Sequence, residues 1–150
     1  MDKLIYLDNA ATTRVYPEVL EAMNPFFTEH YGNPAAFYSF ASPAQKAVAE
    51  ARGHVADLIG AKHDEIYFTG GGSESDNWAL KAVADLYEKE GCHIITTKIE
   101  HHAVLHTCEY LEKVGYEVTY LAVDEYGSVN PADVEKAIRQ DTILISVMFA

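Results

Sequence analysis

The sequence predicts an α/β fold that is built on a mainly parallel sheet and is truncated inside that sheet. Short β-rich runs alternate with amphipathic stretches of ten or more residues, the pattern of βαβ units. Three glycines, Gly70 to Gly72, join one such strand to a helix. The last run, Ile143 to Phe149, is apolar on both faces, as is typical of a central strand with neighbours on each side. The 150 residues do not supply those neighbours, so we expect part of a larger fold.

The first sixty residues predict two helices and a turn. One helix runs from Pro17 towards His30, with a proline in its first turn, and Pro25 kinks or divides it. The segment 32–34 is a turn. A second helix begins near Pro43 and stops at Gly60. Its apolar stripe consists of Ala44, Ala47, Val48, Ala51, Val55, Leu58 and Ile59.

The remaining sequence predicts strands and helices in alternation. A 3.6-residue apolar period indicates the helices, two of which stop at Gly91 and Gly115, and β-branched runs indicate the strands. The predicted elements are strand Ile66–Thr69, helix Ser75–Lys89, strand His93–Thr97, helix His102–Val114, strand Glu117–Leu121, helix Pro131–Gln140 and strand Thr142–Phe149.

The charge balance argues against two classes of partner. The chain carries 11 basic and 23 acidic residues, a formal net charge of −12, so nucleic acid and anionic membrane surfaces would repel it. No apolar run approaches the roughly 20 residues of a membrane span, and the first residues do not resemble a signal peptide. Cys92 and Cys108 show neither metal-ligand spacing nor a disulfide framework. A reducing cytoplasm is the simplest setting for this composition.

The segment from Ile66 to Asp76 has the form of a phosphate cradle. Strand, glycine turn and helix start bring free backbone N–H groups and the positive end of a helix dipole to one point. The segment matches neither a Walker A loop, because Glu74 follows Ser73 where a lysine is expected, nor a G-x-G-x-x-G fingerprint. The alternative is an ordinary turn in which Ser73 caps the helix and Asp76 completes a capping-box-like pair.

Ser73 and His101 are predicted to share one edge of the sheet. Each follows a strand, and open parallel sheets bind ligands beyond the carboxyl ends of their strands. A phosphate anchor beside an imidazole suggests a phosphorylated aromatic cofactor, with His101 stacked on a flat heterocycle. Alternatively, His101 is a solvated residue that opens a helix. His102 and His106 stand four apart, a spacing that can grip a metal, but only Glu100 or His101 is near as a third ligand, so we expect no metal.

Four landmarks resemble the N-terminal part of the cysteine desulfurases, the NifS/IscS-like group of the class-V aminotransferase family of fold-type I enzymes, which use pyridoxal 5′-phosphate (PLP). They are Tyr6-Leu-Asp-Asn-Ala-Ala-Thr-Thr13, Tyr31-Gly-Asn-Pro34, Phe68-Thr-Gly-Gly-Gly-Ser-Glu-Ser-Asp-Asn77 and His93-Ile-Ile-Thr-Thr-Lys-Ile-Glu-His-His-Ala-Val-Leu105. The resemblance implies that residues 1–15 are an N-terminal segment near the active site. It also implies that residues 16–150 are the first half of the PLP-binding large domain, with the C-terminal remainder absent.

The same resemblance implies roles for individual residues. Gly72 and Ser73 are expected to bind the PLP phosphate through backbone N–H groups and the Ser73 hydroxyl. His101 is expected to stack on the pyridine ring and to take part in proton transfer near the substrate α-carbon. The expected substrate-pocket residues are Asn9, Ala10, Ala11, Thr12 and Asn33. The family usually has threonine at the Ser73 position, and commonly serine, histidine and glycine where this chain has Ala36, Tyr38 and Ala41.

The resemblance implies that the complete protein converts L-cysteine to L-alanine and an enzyme-bound persulfide, for iron–sulfur cluster or thio-cofactor synthesis. It implies a homodimer and a sulfur-acceptor scaffold or carrier protein as partner. The chain has no lysine at a Schiff-base position and no cysteine at a persulfide position, so the 150 residues alone are expected to be inactive. The alternatives are a selenocysteine lyase or another class-V aminotransferase-like enzyme, and a non-catalytic module that acts with a partner.

Overall fold

A computed structural model describes residues 5–149 and divides the chain into two compact units, one that ends at Tyr67 and one that begins at Phe68. The predicted boundary between residues 15 and 16 is a different kind of division, based on proximity to an active site, and stays a prediction. No helix within residues 5–149 is long and apolar enough to cross a membrane.

The first unit contains two α-helices. Helix α1, Pro17–Thr28, begins with proline at its first position, where the missing N–H is not needed. Pro25 lies inside α1 and does not divide it. The helix continues for three residues beyond Pro25. The amides of Glu29 and His30 then both donate to the Pro25 carbonyl, and the helix stops before His30.

Helix α2, Ser42–Ile59, ends at Gly60 as predicted. Gly60 adopts the left-handed conformation, with φ 69° and ψ 27°, which glycine tolerates without steric cost. The predicted apolar stripe is wrong in part: Ala44 is buried, whereas Leu58 and Ile59 are exposed. The reason is that the segments packed on α2 within its unit are two short 3-10 turns, Ser39–Ala41 and His63–Glu65.

The second unit contains a three-stranded parallel sheet. Its strands are β1, His93–Thr97, β2, Glu117–Leu121, and β3, Thr142–Ile145, in the order β2-β1-β3. The predicted α/β class and parallel pairing are confirmed, and β1 and β2 have their predicted bounds. The expected central strand, β3, instead lies at the edge of the described sheet and is four residues shorter than predicted.

The predicted strand Ile66–Thr69 is not a strand in this structure. Ile66 has extended dihedral angles, φ −100° and ψ 126°, so the local β preference is expressed. A strand also requires a paired neighbour, and the described ladders join only β1 with β2 and β1 with β3. The sequence therefore predicted the local conformation correctly and the sheet membership wrongly.

Three helices complete the second unit: α3, Gly72–Leu86, α4, His102–Lys113, and α5, Pro131–Ala137. Helix α3 begins three residues before its predicted start, because the amides of Glu74 and Ser75 donate to the Gly71 carbonyl at 3.1 and 3.2 Å. Ser73 therefore lies inside the first turn and is not the cap. Helix α5 ends early, because Ile138 is already extended.

The core of the second unit lies between the sheet and the pair α3 and α4. It is formed by Leu80, Ala84, Ile94, Val104, Cys108 and Leu111. Cys108 belongs to this core and is completely buried. Ile94 of β1 packs among residues of α3 and α4 in this core, so the core joins both helices to the central strand of the described sheet.

His93 joins all three strands at their amino ends. The imidazole is 1% exposed. Its Nδ1 lies 2.7 Å from the Thr142 hydroxyl on β3, and its Nε2 lies 2.8 Å from the Thr119 hydroxyl on β2. Burial lowers the pKa of His93 and the nearby Arg139 lowers it further, whereas Asp141 and Glu117 act in the opposite direction. The neutral imidazole is therefore the stable form in the folded chain.

His93 predicts a pH-dependent contribution to stability. At pH 7.5 we expect His93→Gln to lower the free energy of unfolding by about 1–3 kcal/mol, because buried hydroxyl partners are lost. The folded pKa lies below the unfolded value, so the His93 contribution is complete above about pH 6.5 and is lost as the pH falls through the folded pKa. Urea unfolding of the full-length gene product should show the difference between wild type and variant narrowing towards pH 5.5.

The control is His54→Gln, at an exposed position of α2. Its difference from wild type should be small at every pH. A wild-type to His93→Gln difference that does not change with pH would contradict the proposed linkage.

Candidate functional site

The sheet topology points to its carboxyl edge between β1 and β3. The chain passes from β1 to β2 on one side and then returns past β1 to β3 on the other. The strand order therefore reverses beside β1, between β1 and β3. Open α/β sheets bind their ligands at such a switch point.

The glycine turn at the start of α3 offers anion-binding groups. The first amides of an α-helix have no acceptor inside the helix, so those of Gly72 and Ser73 are available at the positive end of the dipole. A Cβ placed at Gly72 would meet nothing within 4 Å, so the turn is open to an incoming group. The Glu74 carboxylate accepts from the Gly70 amide at 2.5 Å, so that amide is already satisfied, whereas the amides of Gly72 and Ser73 can receive an anion.

His101 caps α4 with its own ring. Its Nδ1 accepts a hydrogen bond from the Ala103 amide at 3.1 Å. An accepting Nδ1 carries no proton, so this contact assigns the proton of the neutral ring to Nε2. The imidazole thus enters the site as a fixed N–H donor. His101 therefore opens helix α4, as the alternative interpretation of the sequence predicted, and it also lines the cleft described below.

Ser73 and His101 line one cleft of about 440 Å³ between the starts of α3 and α4. Asn77 joins the two helices there: its Nδ2 donates to the Ser73 carbonyl at 2.9 Å and to the Ala103 carbonyl at 3.5 Å. The structure therefore brings the two predicted residues together. Asn77 was missed by the sequence analysis, although an amide side chain four residues after Ser73 on a helix is a usable signal.

The far end of the cleft is polar and partly cationic. Lys81 donates to the Asn77 side-chain oxygen at 2.8 Å, and its Nζ lies 5.0 Å from the centre of the Tyr110 ring. The rings of His102 and His106 stack at 5.1 Å between centroids. Within residues 5–149 no group of three or more histidine, cysteine or acidic side chains is arranged to hold a metal ion.

Neither cysteine belongs to the cleft. Burial raises the pKa of the Cys108 thiol to about 11, and nearby Glu112 and Glu100 add to the shift. Burial also raises the pKa of Cys92, with its hydrogen bond to Asp141 as the second cause. Both thiols are therefore poor nucleophiles near neutral pH, because the reactive species is the thiolate.

The predicted substrate-pocket residues lie in the first unit. The amide of Ala11 donates to the Asp8 carbonyl at 3.2 Å in an exposed turn that follows the Tyr6 segment. Asn33 lies in the predicted turn, where its side-chain oxygen accepts from the Ala35 amide at 2.9 Å. The placement of these residues beside a substrate stays a prediction.

The family of the chain follows from comparison with known proteins. Residues 5–150 match the family described as aminotransferase class-V. The chain belongs to the class-V aminotransferase family. The predicted family is thereby confirmed, over essentially the whole sequence.

Relatives within the class-V family include proteins named cysteine desulfurase IscS. One from Clostridium botulinum (strain Kyoto / Type A2) is 57% identical over all 150 residues, which span 38% of its length. Another from Methanosarcina thermophila is 56% identical over 99% of this chain and 37% of the relative. The chain thus spans less than two fifths of the curated relatives that it matches.

Solved structures agree with the fold class. A protein titled NifS-like protein superimposes with a TM-score of 0.91 at 45% identity, over 95% of this chain and 39% of that one. A second, titled SspA in complex with cysteine, has a TM-score of 0.86 at 43% identity, over 92% and 40%. These similarities confirm the predicted fold.

Class-V aminotransferases are PLP enzymes, and the residues of this chain fit that cofactor. The available amides at the start of α3 suit a phosphate dianion. The flat imidazole of His101 can stack on a pyridine ring, and Ser73 and His101 border the same cleft. The anion end and the ring end of the cofactor therefore each have a chemically matched group.

The helix cap formed by His101 is expected to stabilise the folded chain, independently of any catalytic role. His101→Ala should lower the free energy of unfolding by about 1 kcal/mol, because the helix loses its cap, whereas His101→Asn should stay within a few tenths of wild type. Chemical unfolding of the full-length gene product measures both variants. Equal stabilities of the Ala and Asn variants would show that the ring does not act as a cap.

Proposed function

We propose that this chain is the N-terminal part of a PLP-dependent cysteine desulfurase. In this proposal the full-length gene product converts L-cysteine to L-alanine and an enzyme-bound persulfide. The observation that carries the proposal is the single cleft that Ser73 and His101 line, in a chain 57% identical to a protein named cysteine desulfurase.

Gly72 and Ser73 would hold the cofactor at its phosphate. The amides of both residues and the Ser73 hydroxyl would donate to the phosphate oxygens, and the dipole of α3 favours the negative charge. When bound, PLP supplies an electron sink for carbanion chemistry at the substrate α-carbon. The chain itself contributes position and charge complementarity at this end.

His101 would cover the pyridine ring and move a proton. Its Nε2 is the protonated nitrogen in the neutral ring, because Nδ1 accepts from Ala103. A proton donor fixed by a helix cap needs no reorientation before it acts, which favours general acid–base transfer near the α-carbon. The cap therefore supports the proposed catalytic role rather than competing with it.

L-cysteine is the proposed substrate. A structural neighbour is titled as a complex with cysteine, and the curated relatives carry desulfurase names. The proposed substrate-side residues are Asn9, Ala10, Ala11, Thr12 and Asn33, which are exposed in the structure and present polar and small side chains.

The proposed setting extends the family resemblance of the sequence. We infer a homodimer in the cytoplasm, a sulfur-acceptor scaffold or carrier protein as partner, and a role in iron–sulfur cluster assembly, which the IscS names suggest. Residues 1–15 would approach the active site, and residues 16–150 would form the first half of the large domain. The net charge of −12 supports a protein partner over nucleic acid or an anionic membrane.

The proposal is tested on the full-length gene product. With PLP and L-cysteine it should release alanine and, with a thiol reductant, sulfide in equal amounts. His101→Asn keeps the helix cap and should lower kcat by at least about a hundredfold, because it removes the proton-transfer ring. Turnover of selenocysteine alone would favour a selenocysteine lyase, and absence of PLP binding would refute the proposal.

Ser73 variants separate the hydroxyl from the backbone amides. Ser73→Ala should weaken PLP binding about 10- to 150-fold, because one hydrogen bond to a charged group is lost. Ser73→Thr keeps the hydroxyl and should bind within about threefold of wild type. Titration of the apoenzyme with PLP, followed by visible absorbance, gives both affinities. Identical affinities for the Ala variant and wild type would exclude the hydroxyl as a ligand.

A further inference from the structure

A buried carboxylate stands directly before His101. Glu100 is 7% exposed, and no other acidic side chain among residues 5–149 is buried. One oxygen, Oε1, accepts two hydrogen bonds, from the Thr97 hydroxyl and from the Met148 amide, each at 2.8 Å. Thr97 ends β1, and Met148 lies 48 residues further along the chain, beyond β3. A buried charge needs such partners to be tolerated.

The Glu100 carboxylate takes the place of one backbone hydrogen bond between β1 and the segment that follows β3. The last backbone bond from the β3 segment to β1 runs from the Ser146 amide to the Ile95 carbonyl at 2.9 Å. In a parallel pair the next bond would run two residues further, from Met148 to the Thr97 carbonyl. The Met148 amide instead reaches the Glu100 side chain. The backbone pairing therefore ends after Ser146 and Ile95, while the Glu100 side chain still joins the two segments.

The hydrogen bond between Met148 and Glu100 also anchors the turn that leads from β1 to His101. On the β2 side, the Lys98 amide donates to the Leu121 carbonyl at 3.0 Å. On the β3 side, Glu100 is fixed by Met148. The turn between β1 and α4 is thus anchored to both neighbouring strands, and His101 follows it immediately.

We propose that Glu100 is a positioning residue for the cofactor site, whose carboxylate holds the end of β3 against β1 and fixes the turn that presents His101. This inference rests on the proposed function for its catalytic consequence. Glu100 itself touches backbone and a threonine, so it acts through His101 and through the segment around Met148. A displacement of about 1 Å at such a site is enough to lower catalysis strongly.

Three variants of the full-length gene product separate the effect of the side-chain length of Glu100 from the effect of its negative charge. Glu100→Gln keeps the length and one accepting oxygen, so it should retain both bonds. Glu100→Asp keeps the charge but is one methylene too short, so it should resemble Glu100→Ala. The matched controls are the same three changes at Glu109, an exposed position on α4.

Hydrogen exchange of the cofactor-free protein is the first measurement. In the Asp and Ala variants, the peptide that contains Met148 should exchange about tenfold faster, and in the Gln variant it should exchange as in wild type. Exchange in the core of α4 should not change. If Glu100→Ala fails to fold, the contrast between Gln and Asp decides the same question.

The second measurement uses PLP and L-cysteine. The Asp and Ala variants should change the visible dichroism of the bound cofactor and lower kcat about tenfold, with KM within about twofold of wild type. Wild-type behaviour of the Asp variant, or a Gln variant as impaired as Ala, would overturn the inference, because charge rather than reach would then matter. Failure of the wild type to bind PLP would refute the proposed function alone, since the exchange measurement needs no cofactor.

Discussion

The parallel pairing of β1 with a strand on each side is the constraint on which the second unit depends. It places β1 between β2 and β3, so the strand order reverses at the carboxyl edge between β1 and β3. Side chains reinforce both ends of this pairing. At the amino end His93 joins all three strands through two hydroxyls, and at the carboxyl end Glu100 replaces a ladder bond to Met148.

Two helix starts border one cleft, and this arrangement supports the anion site proposed for an acidic chain. The net charge is −12, yet α3 and α4 both begin at the cleft, each with the positive end of its dipole. Asn77 keeps the two starts at a fixed separation by bonding to a carbonyl of each. The backbone dipoles at these two helix starts favour an anion locally, although the net charge of the chain is negative.

At the candidate site, some polar atoms make structural hydrogen bonds and others remain available to a ligand. His101 uses Nδ1 for structure, as a helix cap, and leaves Nε2 for chemistry. Glu74 occupies the Gly70 amide and leaves the amides of Gly72 and Ser73 for a ligand. This division of donors and acceptors supports the proposed roles of Gly72 and Ser73 at the cofactor phosphate and of His101 at its ring. The chain spans 38% of its curated relative and includes these three residues.

The sequence by itself determined the features that rest on local signals. These are the bounds of β1 and β2, the stop of α2 at Gly60, the α/β class and the family, because each depends on short segments or on the order of such segments along the chain. The tertiary structure alone decided that segment 66–69 lies outside the described ladder and that Ser73 is not a cap. It also decided the contacts of Asn77 and Glu100, which join residues 26 and 48 positions apart. Contacts at that separation depend on how strands and helices pack, and no local pattern in the sequence specifies them.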